Sequence, residues 1–516
     1  MALQPLKLPW SEDLKPLQIL QLLLLLFIPS LFILKLTRLS KKPNKLLPPS
    51  PPKLPFIGNF HQLGTLPHRS FRALSHKYGP LMLMQLGSSP TLIVSSAEIL
   101  EEIIKSHDVV FSSKPRMAVG EKLFYGWSNI GFAPYGEYWR QVRKFCALEL
   151  LSVKRVQSFN FVREEEVDIM IEKINHSCQM GNSINIADLL LIVSNNLISR
   201  AALGGKSQGE DNNENKVWEI TRELVAIFGT FCVRDFFPLF GWIDTLTGLQ
   251  SKINKTSKRL DAFLDQVIQE HLIGKTGDKQ SNQEDFVDLL LQALKDSTFN
   301  IPLTHNNIKG ILVDMFVAGT DTTAITVEWA MSELIRNPRV MKKAQEEVRR
   351  VVGKKSRVEE DDICQMDSLK SIIKETLRLY PPGPLLTPRV CTRDTDVKGY
   401  HIPSKTTVFI NAWAIQRDPK LWDNPEEFIP ERFTNSPLDF KGQDFKYIPF
   451  GTGRRSCPGM SFASASSELI LANLLYWFNW ELPGNAKGKN LDMTEAPGIA
   501  LYKKHPLYLL PKPYLF

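Results

Sequence analysis

The sequence predicts a mainly helical α+β domain that is held to a membrane by one helix at its N-terminus. From Thr304 to Arg336 apolar residues recur at helical spacing, and Thr304 is suited to cap the start of such a helix. A smaller β portion is indicated from Leu81 to Ser95, where the pattern alternates among β-forming residues, and at Val408–Ile410. The third observation is an almost wholly apolar run from Leu17 to Leu36, since about 20 such residues span a bilayer core.

This apolar run is expected to be an uncleaved anchor over residues 17–36, with residues 1–16 in the lumen. Several basic residues follow it, whereas the lysines before it are accompanied by Glu12 and Asp13, so the positive-inside rule places the rest of the chain in the cytosol. A cleaved signal peptide is the rival interpretation, but the run is long and no small-x-small cleavage site follows it. A basic and proline-rich hinge over residues 37–55 would then lead to the main domain over residues 56–516.

Composition limits the classes of function. The chain has 516 residues, of which 23% are charged, and a net charge of +8, which fits an enzyme-sized body that faces anionic lipid or an acidic protein partner. No zinc-finger spacing and no strongly basic tract beyond the one beside the anchor is present, so no nucleic-acid partner is expected. The six cysteines are scattered without a Cys-x-x-Cys pair, and a cytosolic body would keep them reduced.

The long predicted helix carries Ala318-Gly319-Thr320-Asp321-Thr322-Thr323 in its interior. Gly319 costs about 1 kcal/mol relative to alanine there, so we expect that a small residue lets a flat cofactor and O₂ approach the helix backbone. Asp321 and Thr322 form an acid–alcohol pair that could hold water and pass protons beside that opening. The alternative is a buried helix in which the threonine hydroxyl bonds back to its own turn.

Two further segments have residues spaced as an ion pair and a metal-binding cysteine would require. Glu375 and Arg378 lie three residues apart on one helical face, where they can pair, although most such pairs are solvated surface contacts. The run from Phe450 to Gly459 holds Cys457 among small residues, and a thiolate on a metal needs neighbours that let backbone N–H groups point at the sulfur. Gly453 and Gly459 meet that need.

Charge and helix direction support the same interpretation of Cys457. Arg455 brings a fixed cation whose fork of donors suits the carboxylates of a porphyrin. The sequence from Ala463 onward predicts a helix whose N-terminal dipole would help to hold Cys457 as a thiolate. The alternative is that Cys457 is a small buried hydrophobe, as most unpaired cysteines are.

The pattern Phe-x-x-Gly-x-Arg-x-Cys-x-Gly, present at every fixed position from Phe450 to Gly459, resembles the haem-binding loop of the cytochrome P450 monooxygenases. The resemblance covers essentially the whole chain, and Tyr135–Trp139 and Leu148–Val156 look like the plant microsomal 71 clan (A-type). It implies the cytochrome P450 fold, in which haem b lies between a long oxygen-binding helix and a cysteine-ligand loop. Cys457 would be the axial ligand of the haem iron, and a thiolate there favours O–O cleavage.

The resemblance also implies roles for other residues. Asp321 and Thr322 would deliver protons, and Ala318 and Gly319 would lie against the haem. Glu375, Arg378 and Arg432 would form a structural network behind it. The remaining expected haem contacts are Trp139, Arg143, Arg389, Phe450, Gly453, Arg455 and Gly459. By analogy, the substrate pocket would draw on Ala118, Val119, Phe316, Leu385, Leu386, Thr387, Ile499 and Ala500.

The expected activity is insertion of one oxygen atom of O₂ into a small lipophilic plant specialised metabolite, such as a terpenoid, an alkaloid or an aromatic compound. Gly451-Thr452-Gly453 lacks the third glycine and the βαβ setting of a dinucleotide site. Electrons are therefore expected from NADPH through the flavins of a separate NADPH-cytochrome P450 reductase at the endoplasmic reticulum membrane. A haem-thiolate dehydratase or isomerase acting on an oxime, and a non-catalytic haem-binding protein, remain as alternatives. Gly498-Ile499-Ala500 departs from the Gly-Leu-Thr of the clan, so the substrate itself is not predicted.

Overall fold

The structure is a computed structural model that describes residue 27 and residues 45–204, 213–274, 284–296, 299 and 301–515. The predicted lumenal segment 1–16, nearly all of the predicted anchor 17–36 and the first part of the hinge lie outside the described residues. From residue 45 the proline-rich stretch contacts the body, since the carbonyl of Leu46 accepts from His401 N at 2.7 Å and that of Pro49 from Leu83 N at 2.9 Å. The described end of the predicted hinge is therefore hydrogen-bonded to the body ahead of the expected boundary at residue 56.

Helices make up most of the described chain, with short 3₁₀ turns and one π-helical segment between some of them. They are α1 (Pro67–Tyr78), α2 (Ala97–His107), α3 (Ala118–Leu123), α4 (Glu137–Phe145), α5 (Val153–Ser158), α6 (Asn160–Gln179), α7 (Ile186–Leu203), α8 (Asn213–Phe228), α9 (Val233–Phe236), α10 (Ile243–Leu246), α11 (Leu249–Gly274), α12 (Phe286–Lys295), α13 (His305–Arg336), α14 (Pro338–Val352), α15 (Glu360–Ile363), α16 (Asp367–Leu379), α17 (Ala412–Ile415) and α18 (Met460–Trp477).

The β portion consists of small sheets at the edges of the helical body. A four-stranded sheet has the order β1 (Leu81–Leu86), β2 (Ser89–Val94), β7 (Thr407–Ile410), β4 (Arg389–Val390), with β2 and β7 parallel. A second sheet has the order β3 (Ile184–Asn185), β9 (Tyr508–Pro513), β8 (Phe478–Glu481), and β5 (Thr395–Val397) pairs with β6 (Tyr400–Ile402). The strand predictions at 81–95 and 408–410 are confirmed, the first as a hairpin.

Helix α13 lies at the centre of the body and agrees with the predicted span. Thr304 caps it in a capping box with Asn307, whose Oδ1 accepts from Thr304 N at 2.7 Å. Its side chains are buried on nearly all sides, and it shares the largest core cluster with α6, α7, α11, α12, α14, α16 and α18. A helix that is apolar all round requires such an environment, which explains its length and apolarity by core packing.

By length and composition alone, two of the described helices could cross a membrane. These are α7 and α13, and 61% and 67% of their apolar windows are buried inside the protein. A bent pair over Trp218–Phe236 and Pro238–Leu246, which meets at 110°, would make three if it counted as one broken span.

Candidate functional site: the long helix, the cysteine loop and a cluster of buried cations

Helix α13 is more exposed at its middle than on either side. Ala318 is exposed, and Gly319, Asp321 and Thr322 are half-buried, although nearly every residue C-terminal to them on the helix is buried. An opening beside Ala318 is therefore present where the sequence predicts access to the helix backbone.

The glycine in this segment has a different neighbour from the expected one. A side-chain carbon added to Gly319 would lie 2.5 Å from Cδ1 and 2.7 Å from Cγ1 of Ile198 on α7. Gly319 therefore lets α7 and α13 pack closely, and this helix–helix contact offsets its conformational cost. Ala318 beside it is exposed, so the helix backbone is accessible here, and the approach of a cofactor at Gly319 stays a prediction.

The acid and the alcohol of α13 have separate partners. Thr322 Oγ1 donates to the carbonyl of Ala318 at 2.8 Å, which is the bond back to its own turn that the alternative interpretation expects. The carboxylate of Asp321 accepts a hydrogen bond from the hydroxyl of Tyr502. Burial raises the pKa of Asp321, and the bond from Tyr502 partly offsets that rise. Sequence reasoning missed Tyr502, because a single tyrosine 181 positions away carries no spacing that relates it to Asp321.

The cysteine loop is closed by backbone bonds and by two residues with positive φ. Cys457 N donates to Phe450 O at 2.8 Å, and Ser456 N donates to Gly453 O at 3.1 Å. Gly451 and Gly453 have φ of +72° and +69°, which favours glycine. A side-chain carbon at Gly453 would also lie 2.9 Å from a carboxylate oxygen of Asp108.

Gly459 lacks the positive φ of Gly451 and Gly453. It has an ordinary φ of −87° at the N-cap of α18, and among the described residues outside its own stretch of chain no atom lies within 4 Å of where a side-chain carbon would stand. Contrary to the sequence argument, backbone conformation does not require glycine at this position. Open space beside this backbone is what a bulky group lying against the loop would need.

The sulfur of Cys457 is half-buried just before a helix. Helix α18 begins at Met460, three residues earlier than predicted, so the sulfur lies closer to its N-terminus than the sequence suggests. Burial raises the pKa of the Cys457 thiol, and a backbone bond from Gly459 and the charge of Arg143 offset this only in part. The predicted contribution of the helix dipole stays a prediction, and a bound metal ion would favour the thiolate further.

Four cations lie together beside this loop. Burial together with the charges of Arg389 and Arg143 lowers the pKa of Arg455 to about 9. Burial and the charges of Arg389 and Arg455 lower the pKa of Lys114 well below its ordinary value. Among the described residues, Asp108 is the only carboxylate in salt-bridge contact with any of the four, through Arg389 at 3.2 Å. Lys114 and Arg389 are buried and Arg143 and Arg455 half-buried, and this excess of positive charge calls for an anionic group.

Several of the predicted donors have protein partners. Arg455, which the sequence predicts to bind porphyrin carboxylates, also donates to the carbonyls of Ser112, Ile130 and Ala133 and lies 4.1 Å from the ring of Trp139. The indole N–H of buried Trp139 donates to Ile130 O at 3.0 Å. These contacts tie the loop between α3 and α4 to the cysteine loop.

The other two arginines reach the cysteine loop directly. Arg143 donates to Ser456 O at 2.6 Å, and Arg389 donates to Thr452 O at 2.7 Å. Sequence reasoning missed Lys114, which donates to Thr387 O at 3.1 Å, because one lysine in a loop looks like any surface lysine.

The structure brings Glu375, Arg378 and Arg432 together in the interior. Glu375 and Arg378 are both fully buried and form two hydrogen bonds of 2.7 and 2.8 Å, and Arg432 Nε lies 3.0 Å from Glu375 Oε1. The remaining donors of Arg378 go to the carbonyls of Gln416, Pro425 and Glu427. The group joins α16 to the 3₁₀ turn Pro430–Phe433 and to the chain before it.

The residues predicted for a substrate pocket divide among several core clusters. Val119 and Phe316 are almost fully buried in the largest one. Leu385, Leu386 and Ala500 pack at the edges of three others. Thr387 and Ile499 are exposed. Ala118 lines a cavity of about 310 Å³ beneath the segment from Cys232 to Ile253.

The fold and this site are those of a helical haem-dependent oxidoreductase. Comparison with known proteins shows the family to which the chain belongs. A family model described as Cytochrome P450 matches residues 48–510. Cytochrome P450 71A1 from Persea americana is 55% identical over 460 residues, which cover 89% of this chain and 92% of that protein. Phenylacetaldehyde oxime monooxygenase CYP71AN24 from Prunus mume is 51% identical over 494 residues, which cover 94% and 93%. A solved zebra fish cytochrome P450 structure with progesterone has a TM-score of 0.74 at 25% identity, over 87% of this chain and 100% of that one.

The chain belongs to the cytochrome P450 family, and it is a monooxygenase similar to plant enzymes of that family. The predictions of the family, of the mainly helical cytochrome P450 fold with small sheets and of the enzyme class are confirmed, whereas the N-terminal membrane helix stays a prediction. Family and fold imply haem b as the cofactor, O₂ as a substrate and a reductase as the redox partner. The described residues fit this group, because the buried cation cluster lacks the anions that two propionates would supply and the backbone at Gly459 leaves room beside the cysteine.

Proposed function

We propose that the chain is a membrane-anchored haem-thiolate monooxygenase in which Cys457 ligates the haem iron. The observation that carries the proposal is the half-buried Cys457 beside Lys114, Arg143, Arg389 and Arg455. The bound haem would supply O₂ activation at an iron held by a thiolate. Ala318, Gly319, Phe450, Gly453, Gly459 and Trp139 would form the walls against which it lies.

The residues of the chain would hold and orient the reactants. The four cations would fix the propionates through charge-assisted bonds. Thr322 Oγ1 and the carboxylate of Asp321 would hold water at the opening of α13 and pass protons from it. Glu375, Arg378 and Arg432 would hold the chain segments behind the haem without taking part in the chemistry.

The test is the carbon monoxide difference spectrum of microsomes that express the full chain, after reduction with dithionite. We expect a strongly red-shifted Soret band that is lost in Cys457→Ser. Cys364→Ser is the matched control, because that cysteine is exposed, and it should leave the band unchanged. A band at the ordinary histidine-ligated position, or loss of the band in both variants, would refute the assignment of Cys457.

We infer that electrons come from NADPH through a separate NADPH-cytochrome P450 reductase. Arg140 and Lys144 on α4 are exposed on the helix that also carries Arg143, so this side of the molecule offers cations to an acidic partner. Purified enzyme should consume NADPH when the reductase is added and not without it. Consumption of NADPH by the enzyme alone would contradict the proposal.

The substrate is proposed to be a small lipophilic plant metabolite such as a terpenoid, an alkaloid or an aromatic compound. Among the apolar residues proposed for the pocket, Leu385 and Leu386 are half-buried and Ile499 is exposed, and apolar pockets with few polar groups bind such molecules. A screen of these classes should give ligands that shift the Soret band of the ferric enzyme. Binding confined to polar or charged compounds would contradict this class.

A second candidate, conversion of an oxime, is favoured by one relative. Phenylacetaldehyde oxime monooxygenase is 51% identical over 94% of this chain. Phenylacetaldehyde oxime is therefore the first compound to test, with products compared in air and under argon. Monooxygenation requires O₂, whereas dehydration of the oxime does not, so product formed under argon would favour the dehydratase.

We propose that residues 17–36 anchor the protein in the endoplasmic reticulum membrane with the body in the cytosol. An exposed apolar patch over residues 231–246 supports a membrane position, since Leu239 is 88% and Leu246 76% exposed and Phe231, Phe240 and Trp242 are about half exposed. Such a surface is unusual on a soluble monomer. In intact microsomes the body should be digested by added protease, and protection of the body would refute this orientation.

A further inference from the structure

The contact between Tyr502 and Asp321 joins two distant parts of the chain. Asp321 lies at the opening in α13, and Tyr502 belongs to the segment between Glu495 and Lys503, which returns on itself near the C-terminus. The phenol hydroxyl donates and the carboxylate accepts, so the bond is charge-assisted and among the stronger kinds of side-chain hydrogen bond.

The backbone around Tyr502 is fixed from several directions. Tyr502 O accepts from Ala496 N at 2.9 Å, and Leu501 N donates to Pro382 O at 3.0 Å. Leu501 O accepts from the indole of buried Trp329 at 2.6 Å. The phenol therefore extends from a held backbone, and the carboxylate of Asp321 is positioned against it.

The start of this segment is held by ion pairs. Buried Glu495 accepts from His68 Nε2 at 2.9 Å and from Arg69 at 2.7 and 2.9 Å. Between Glu495 and Tyr502 lies the turn with Ile499, which is 46% exposed, and Ala500. Both are residues that we propose for the substrate pocket, so the same short segment carries pocket residues and the partner of Asp321.

We propose that Tyr502 is a positioning residue for proton delivery, in which its hydroxyl holds Oδ2 of Asp321 and leaves Oδ1 for the water beside Thr322. This inference rests on the proposed role of Asp321. It assigns Tyr502 no contact with substrate or haem. The segment from Glu495 to Lys503 would then connect the proposed pocket to Asp321. A substrate that contacts Ile499 or Ala500 in this segment would also affect the orientation of the Asp321 carboxylate.

The electrostatics of the pair agree with these roles. Burial and the neighbouring Asp321 carboxylate raise the pKa of Tyr502, so the phenol keeps its proton and remains the donor. Arg222 on α8 is the other group whose charge acts on Asp321, and like Tyr502 it favours the carboxylate form. Removing the hydroxyl would raise the pKa of Asp321 further and free its orientation.

The test uses Tyr502→Phe, which deletes only the hydroxyl, with Tyr508→Phe as the matched control on an exposed tyrosine of the same region. The full-length enzyme is mixed with reductase and NADPH without added substrate, and hydrogen peroxide formed per NADPH is measured. Two electrons and two protons convert O₂ to hydrogen peroxide, whereas four of each convert it to two waters, so the ratio reports proton delivery. We expect a change of about threefold or more in Tyr502→Phe, since positioned proton transfer has large kinetic effects, and none in the control.

Two comparisons separate the inference from the proposed function. Asp321→Asn should change the ratio, and adding Tyr502→Phe to it should produce no further change, because the phenol acts through the carboxylate. The pH at which the yield of hydrogen peroxide per NADPH changes should also be higher in Tyr502→Phe, because loss of the hydroxyl raises the pKa of Asp321. A merely structural role of Tyr502 would not cause this shift. An unchanged ratio in Tyr502→Phe with a changed one in Asp321→Asn would overturn the inference alone. An unchanged ratio in Asp321→Asn would overturn the proposed role of Asp321 itself.

Discussion

Replacing Glu375 by glutamine should destabilise the protein by several kcal/mol. Oε1 of Glu375 accepts from Arg378 Nη2 at 2.8 Å, from Arg432 Nε at 3.0 Å and from Ile429 N at 2.9 Å. Oε2 accepts from Arg378 Nε at 2.7 Å. Glutamine keeps the shape but places an N–H₂ donor against one of these donors, and it leaves fully buried Arg378 without its counter-charge.

The magnitude follows from this burial. Removing one partner of a buried ion pair costs about 3–5 kcal/mol, because the other charge remains desolvated. The entropy of unfolding is about 2.1 cal/mol/K per residue, hence roughly 1 kcal/mol/K for a body of this size, so Glu375→Gln should lower the melting temperature by about 3–5 °C. Because the network lies between α16 and the segment before the cysteine loop, the fraction of protein that retains haem should fall as well.

The assay is thermal unfolding of the haem-loaded protein, together with the carbon monoxide difference spectrum per mole of protein. Glu137→Gln is the matched control, since Glu137 forms the same i,i+3 pair with Arg140 but both side chains are 56% exposed. Surface pairs of this kind contribute little, so the control should melt like the wild type. If Glu375→Gln and Glu137→Gln both matched the wild type in melting temperature and haem content, the reasoning from buried charge would be refuted.

Two further predictions concern packing and pH. Gly319→Ala should gain about 1 kcal/mol of helix propensity but lose about 1–3 kcal/mol to the overlap with Ile198, so its net effect is a destabilisation of up to about 2 kcal/mol. Adding Ile198→Val, which removes the closest methyl group, should relieve that loss in melting experiments, and strictly additive effects would contradict the packing argument. Burial alone would raise the pKa of Glu495, but the hydrogen bonds and charges of His68 and Arg69 lower it from 4.5 to about 2. The depressed pKa means that this group stabilises the folded state above about pH 4.5 and that the stabilisation is lost as pH falls toward about 2. The free energy of unfolding, measured with urea at pH 5 and at pH 3, should therefore change less between the two pH values for Glu495→Gln than for the wild type. An equal change in both proteins would show that the ion pairs do not form.

Sequence reasoning was most accurate where local patterns decide the structure. The span of α13, its cap at Thr304 and the β structure over residues 81–95 follow from periodicity and capping, which depend on neighbouring residues. The start of α18 was placed three residues too late, because the cap is the glycine of the cysteine loop and that loop interrupts the apolar pattern.

Contacts between distant segments were harder to predict. The reason for Gly319 is Ile198 on another helix, and the partner of Asp321 is Tyr502 near the C-terminus. Lys114 joins the buried cations only because the loop after α2 folds against the cysteine loop. Neither propensity nor local spacing encodes these pairs, since each depends on how separate elements pack.

The sequence by itself determined the family, the mainly helical fold and the cysteine motif, because these depend on residues that are close together in the chain or on a pattern of fixed positions. Only the tertiary structure decided which charges are buried together, which face of α13 is open and which hydroxyl holds Asp321. The physical reason is that desolvation, charge coupling and close packing depend on distances in space, and the chain fixes those distances only when all of its elements have packed around one core.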